Sequence, residues 1–202
     1  MANIHNITPI EDLDTAASSA VEVVEASSSI LTRALFLDID GVLNSEDWII
    51  SEHKRREHEL GIRKPIIDEC DPDAVSVLNT LIEKSHAQIV LSSTWRITFG
   101  LKRTVDYLVR VGFKYKTAFV GRTPVACPVT RNGTTEWPRR GQEIAEYLHM
   151  HPDITSYCIL DDDSDMLDEQ RKHFVRTNRR TGLVAADIQR CLSAFRVPNS
   201  SI

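Results

Sequence analysis

Three short segments of this chain hold residues able to do chemistry together. Asp38 and Asp40 stand two apart in Phe36-Leu37-Asp38-Ile39-Asp40-Gly41-Val42-Leu43-Asn44. Ser92 and Ser93 follow Ala87-Gln88-Ile89-Val90-Leu91, and Asp161 and Asp162 follow Tyr157-Cys158-Ile159-Leu160. If the three meet, several carboxylates share one crevice, and close carboxylates repel unless a cation offsets them. An all-oxygen ligand set suits Mg²⁺ better than zinc or copper, and Mg²⁺ keeps several waters and also takes a phosphate oxygen. The charge pattern therefore points to a phosphate-handling site with Mg²⁺ as its cofactor.

The elements that must position these residues are legible as apolar runs. Ala34–Leu37, Ala87–Leu91 and Tyr157–Leu160 each read as a buried parallel strand whose C-terminal end opens into one of the three segments. Thr117–Val120 and His173–Val175 read as further strands. Between them, Ala74, Val77, Leu78, Leu81 and Ile82 recur at helical spacing behind Asp71-Pro72, an N-cap followed by proline at the first helical position. Leu101, Val105, Leu108 and Val109 mark another helix, Ile144, Tyr147 and Leu148 a third from near Gly141, and Leu183 to Phe195 a last one. Residues 125–138 read as a loop. Alternating strands and helices predict an α/β fold, a parallel sheet with helices on both faces, and in such sheets the ligand sits off the C-terminal strand ends. Residues 45–70 are polar and mixed, and read as a small cap or flap inserted after the first strand.

Composition fits this reading. The chain has 202 residues, 42% apolar and 26% charged, enough for one ordinary domain. The net charge of -5 equals the five acids of residues 1–30, which hold no Lys or Arg, so the rest is formally balanced. That is not the footprint of a protein that coats duplex DNA, though it leaves room for a local basic patch. Residues 1–31 read as an acidic, disordered leader and 32–198 as the folded domain. Cys70, Cys127, Cys158 and Cys191 form no C-x-x-C pair and read as free thiols. With no signal-peptide pattern and no apolar run near the ~20 residues that span a bilayer, a cytoplasmic protein with no membrane partner is expected.

The motifs also carry a resemblance. Asp38-Ile39-Asp40-Gly41-Val42-Leu43-Asn44 after an apolar strand, Ile89-Val90-Leu91-Ser92, and Cys158-Ile159-Leu160-Asp161-Asp162 resemble motifs I, II and IV of the haloacid dehalogenase-like (HAD) phosphatases, in order, over roughly 34–195. Ser92-Ser93-Thr94-Trp95-Arg96, Gly121-Arg122-Thr123-Pro124 and Arg140-Gly141-Gln142-Glu143-Ile144 resemble the small phage and bacterial HAD domains, some of them associated with nucleic-acid end repair. The resemblance implies a three-layer Rossmann-like fold and an aspartyl-phosphate mechanism. It assigns Asp38 as nucleophile, Asp40 as proton shuttle and, through its backbone carbonyl, a metal ligand, and Ser92 as the hydroxyl on a phosphoryl oxygen. It assigns Asp162 with Asp161 to the metal, beside Asp38 itself. Motif III asks for a cation near the start of the helix before the last acidic strand; Arg140 fits best, with Arg139 as its alternative. Ser93 and Arg96 are expected at the substrate, Asp165 as a further ligand or orienter, and Trp95 in packing more than in base stacking.

The expected activity is phosphomonoester hydrolysis, on a nucleic-acid 3′ or 5′ end, a nucleotide or a small metabolite. A small cap leaves the site open, which favours an extended substrate. The other readings are a catalytically silent binding or regulatory domain, against which both Asp38 and Asp40 speak, and transfer to an acceptor other than water.

Overall fold

Strands buried on both faces must be apolar nearly throughout; the three inner strands satisfy this, and two more exposed edge strands complete one sheet. The computed structural model describes residues 33–62, 69–131, 134–136 and 138–199. Its main sheet holds β1 (Arg33–Leu37), β2 (Gln88–Leu91), β3 (Phe119–Arg122), β6 (Ser156–Asp161) and β7 (Phe174–Arg176), all parallel, in the order β3-β2-β1-β6-β7. β1 is central: Leu37 pairs with Leu91 on one side and Leu160 on the other. The chain crosses from one side of β1 to the other between β3 and β6. That makes the C-terminal end of β1 a topological switch point, where such sheets open a crevice.

The two-residue period of a strand divides the core in two. Leu35, Leu37, Ile89, Leu91, Cys158 and Leu160 face one side and pack with α2 (Pro72–Ser85), α4 (Gly100–Val111) and α6 (Ala185–Ala194), through Leu78, Leu108 and Ile188. Ala34, Phe36, Val90, Tyr157 and Ile159 face the other side and pack with Ile144, Tyr147 and Leu148 of α5 (Arg140–Met150). α2 starts as the sequence indicates: Asp71 caps it, accepting the Asp73 N–H at 2.8 Å, with Pro72 at the first position.

Two local expectations change. The strand placed over Thr117–Val120 begins with a 3₁₀ turn at Lys116–Ala118, and β3 runs two residues later. The expected loop 125–138 contains an antiparallel pair, β4 (Val129–Arg131) and β5 (Thr134–Glu136). The intervening sequence is Asn132-Gly133, the strongest short hairpin signal there is.

Within the polar segment after β1, residues 46–60 form α1 (Glu46–Leu60), which buries none of its residues. Polar contacts tie it to the body. The Glu46 and Asp47 N–H groups donate to the carbonyls of Arg179 and Arg180 at 3.1 and 3.0 Å, and Arg56 pairs with Glu69 at 2.6 Å. The expected leader 1–31 and residues 63–68 of the insertion lie outside the described residues. Among the described residues no helix is long and apolar enough to cross a membrane.

Candidate active site

Strand parity decides which side chains meet. Asp38, Ser92 and Asp161 each follow the register of Phe36, Val90 and Ile159, so all three belong to the face that carries α5. Ladder bonds extend past the strands to fix them: Asp38 N–H donates to Leu160 O at 3.0 Å and Ser92 N–H to Leu37 O at 2.9 Å. Carboxylate oxygens of Asp38, Asp161 and Asp162 all lie within 4.8 Å of one another. Asp38 is 8% exposed and Asp161 3%.

Such a cluster is electrostatically strained. Burial pushes the Asp38 carboxyl up to about 6, against a hydrogen bond from the Ser93 hydroxyl and the charge of Arg140. Burial, and then the charge of Asp38, push Asp161 up to about 8. Asp162 is also raised, by burial first. Ser92 Oγ is fully buried and has no hydrogen-bond partner among the described residues, a costly state for a hydroxyl unless a ligand uses it. Three oxygen donors in need of positive charge, beside an unpaired hydroxyl, fit a hard cation with a phosphoryl group.

Gly41 explains why glycine stands in the first motif. Its φ is +72°, and a Cβ there would sit 2.3 Å from Asp162 Cγ. The side chain of Asp162 therefore rests where any other residue would place its own. Gly41→Ala is expected to destabilise the fold by about 2 kcal/mol or more, since the left-handed backbone alone costs ~1–2 kcal/mol. Thermal melting checks this, and an unchanged midpoint would refute the close approach. The same loop is tied down by Thr177, whose hydroxyl donates to Gly41 O at 3.0 Å, and by Asn44, whose Oδ1 accepts the Gly41 N–H at 2.9 Å.

Asp40 stands just outside the acidic trio. Its carboxylate accepts the Trp95 indole N–H at 3.1 and 3.2 Å and the Asn44 amide at 2.9 Å. Trp95, 4% exposed, does pack, as the sequence indicates, but it also orients Asp40. Neither Asn44 nor Trp95 is assigned to Asp40 by sequence spacing; an asparagine closing the first motif was the available signal.

Of the two arginines considered for the cation, Arg140 is the one whose charge reaches the carboxylates. Arg140 opens α5, and its charge acts on both Asp38 and Asp161, whereas Arg139 is an exposed cap residue. Asp165 Oδ2 accepts the Arg140 backbone N–H at 2.7 Å, which ties it to the start of α5.

One expectation for the substrate needs correction, that for Arg96. Ser93 is fully buried; its hydroxyl donates to Asp38 and accepts the Trp95 backbone N–H at 3.3 Å, so the side chain serves the carboxylate and caps the turn that follows. Arg96 is 1% exposed and points into the protein. Its five N–H groups meet the carbonyls of Ser92, Ser93, Thr123 and Pro124 and the Glu143 carboxylate, at 2.6 Å for the last. No donor is left for a phosphate. Glu143, buried, also pairs with Arg140. It joins an internal strut to the cation of the site, and nothing in an ordinary helix first turn announces that.

This geometry meets one family. Residues 34–188 match the family described as the HAD domain in Swiss Army Knife RNA repair proteins. The chain belongs to this family. No curated protein and no solved structure matches it. The matched stretch holds the main sheet from Ala34 onward and all three strand-end segments. The HAD assignment accounts at a coarse level for a site built for a phosphorylated substrate.

Proposed function

We propose that this HAD domain is a Mg²⁺-dependent phosphomonoesterase acting through an aspartyl-phosphate on Asp38, with a polynucleotide end as its substrate. The observation that carries the reading is the convergence of Asp38, Asp161 and Asp162 within 4.8 Å beside the unpaired Ser92 hydroxyl. The family's association with RNA repair favours the polynucleotide over a small metabolite. α1, which buries none of its residues, fits a small cap that leaves the site open.

The residues divide the work as follows. The Asp38 carboxylate attacks phosphorus while the bond to the leaving oxygen breaks, and Asp40 gives that oxygen a proton. Asp40 then takes a proton from water, which attacks phosphorus and releases phosphate from Asp38. Ser92 Oγ donates to a phosphoryl oxygen, and Arg140 offsets charge on Asp38 and the phosphoryl group. Asp38, Asp161, Asp162 and the Asp40 backbone carbonyl would hold Mg²⁺, which when bound neutralises the carboxylates and the transferring group. Trp95 and Asn44 keep the Asp40 carboxylate oriented between its two proton transfers.

The test is Mg²⁺-dependent phosphate release from p-nitrophenyl phosphate and from 3′- and 5′-phosphorylated oligonucleotides. Activity on none of them would sink the reading.

A pH dependence follows from the same carboxylates. Asp38 and Asp161 hold protons more tightly folded than unfolded, at about 6 and about 8 against an ordinary 3.8. Between those limits the unfolded chain binds fewer protons, so stability falls as pH rises. The metal-free protein is expected to melt lower at pH 8 than at pH 5, and Mg²⁺ should raise the midpoint more at pH 8. Melts in EDTA and in Mg²⁺ check this; an equal Mg²⁺ effect at both pH values would count against metal binding at these carboxylates.

A further inference from the structure

A cavity of about 630 Å³ opens on the outer side of α4, lined by Trp95, Phe99, Arg103, Asp106, Tyr107 and Arg110. It shares one side chain with the site: the Trp95 ring lines the cavity while its N–H holds both oxygens of Asp40. Asp40 is the group that would protonate the leaving oxygen, so the cavity lies one indole away from where the leaving group departs.

Its lining has a particular chemistry. Trp95 forms an aromatic cluster with Phe99 and Tyr107, at ring distances of 5.1 and 5.8 Å. Trp95 is buried, so the surface open to a ligand belongs to the half-buried Phe99 and Tyr107. Arg110 stands over the Tyr107 ring, 5.8 Å from its centre. Arg103 and Arg110 are exposed and have no carboxylate partner among the described residues. The one acid in the wall, Asp106, is held by Lys102 at 2.7 Å and Lys116 at 2.9 Å, so it does not cancel the arginines. An aromatic surface edged with unpaired guanidinium groups is complementary to single-stranded nucleic acid, whose bases stack while its phosphates take the charge.

We infer that this cavity binds the single-stranded segment adjoining the phosphate to be removed, with a base against Phe99 and Tyr107 and backbone phosphates at Arg103 and Arg110. The inference rests on the proposed activity only for its orientation, since it assigns the cavity to the leaving group. It makes the specificity of the site a property of α4 as well as of the carboxylates.

The test is direct binding, measured in EDTA by fluorescence anisotropy with a labelled single-stranded oligoribonucleotide ending in a hydroxyl. The Arg103→Ala/Arg110→Ala double variant changes only exposed side chains. It is expected to weaken binding about tenfold and to lower the slope of log affinity against log salt by about 0.7 per arginine. Phe99→Leu keeps apolar packing on Trp95 but removes the ring; it should weaken binding about tenfold with the salt slope unchanged. Arg171→Ala, an exposed charge removed elsewhere, should bind as wild type does. The inference is overturned if wild type does not bind the oligonucleotide, or if the double variant binds as tightly. It is also overturned if the protein forms a dimer that the double variant dissolves, which would give the cavity to a second copy. Its failure is separable from that of the enzyme reading. Hydrolysis of p-nitrophenyl phosphate without oligonucleotide binding removes the cavity assignment alone. Binding that depends on Arg103 and Arg110 without any hydrolysis removes the phosphatase alone.

Discussion

Asp38→Asn is expected to abolish phosphate release while making the metal-free protein more stable. The amide cannot attack phosphorus, and loss of an enzyme's nucleophile costs on the order of 10⁴-fold or more in kcat. The same change removes one of three carboxylates that crowd within 4.8 Å. Burial pushes the Asp38 carboxyl up to about 6, so at pH 8 it stays ionised only at a cost to the fold. Each tenfold gain in proton affinity on folding corresponds to ~1.4 kcal/mol of that cost. Relief of about 2 kcal/mol would raise the melting midpoint in EDTA by several degrees for a chain of this size. The amide oxygen can still accept the Ser93 hydroxyl, so little packing is lost. Opposite signs in the two measurements separate a catalytic role from damage to the fold. Full activity would show that Asp38 is not the nucleophile, and a lower midpoint would show that the trio is not under repulsion.

What the sequence made legible follows from which interactions are local. A central parallel strand is buried on both faces, so Leu35-Phe36-Leu37 and Ile89-Val90-Leu91 are apolar without interruption and announce themselves. Because β2, β1 and β6 are neighbours, the polar residues at their tips had to converge, and the acidic pair at Asp161 and Asp162 met Asp38 accordingly. Arg96 failed for the opposite reason. Next to Ser92 and Ser93 it looked like a phosphate ligand, but a short helical turn from Trp95 to Thr98 swings it inward to a carboxylate 47 residues away. No local pattern encodes that partner. The hold of Trp95 on Asp40, 55 residues apart, was hidden in the same way. The hairpin of β4 and β5 was different: its Asn-Gly signal was in the sequence, and its short polar strands, outside the main sheet, lacked the apolar alternation that marks a strand packed on a core.

The largest loss of stability is expected from Glu143→Ala. Glu143 is buried between two arginines, Arg96 at 2.6 Å and Arg140, and its Oε1 also accepts the Ala126 N–H at 3.3 Å. Removing a single partner of a buried ion pair leaves an uncompensated charge, which costs ~3–5 kcal/mol. Arg96 cannot escape to solvent, because four backbone carbonyls and the chain around Thr123 and Pro124 enclose it. Arg140 is freer and would lose only its tether, so catalysis should fall by positioning rather than by loss of a group, by about 10²-fold for a displacement near 1 Å. Glu143→Gln keeps an oxygen for the Arg96 N–H and the same volume, so it should recover part of the stability. Its neutral amide holds Arg140 less firmly than the carboxylate did, so kcat should recover less than the melting midpoint. Melting and steady-state kinetics on both variants read these outcomes independently. A Glu143→Ala protein that melts within about 1 kcal/mol of wild type would mean that solvent reaches Arg96, and that the strut joining β2, β3 and α5 beneath the carboxylates is held by its carbonyls alone.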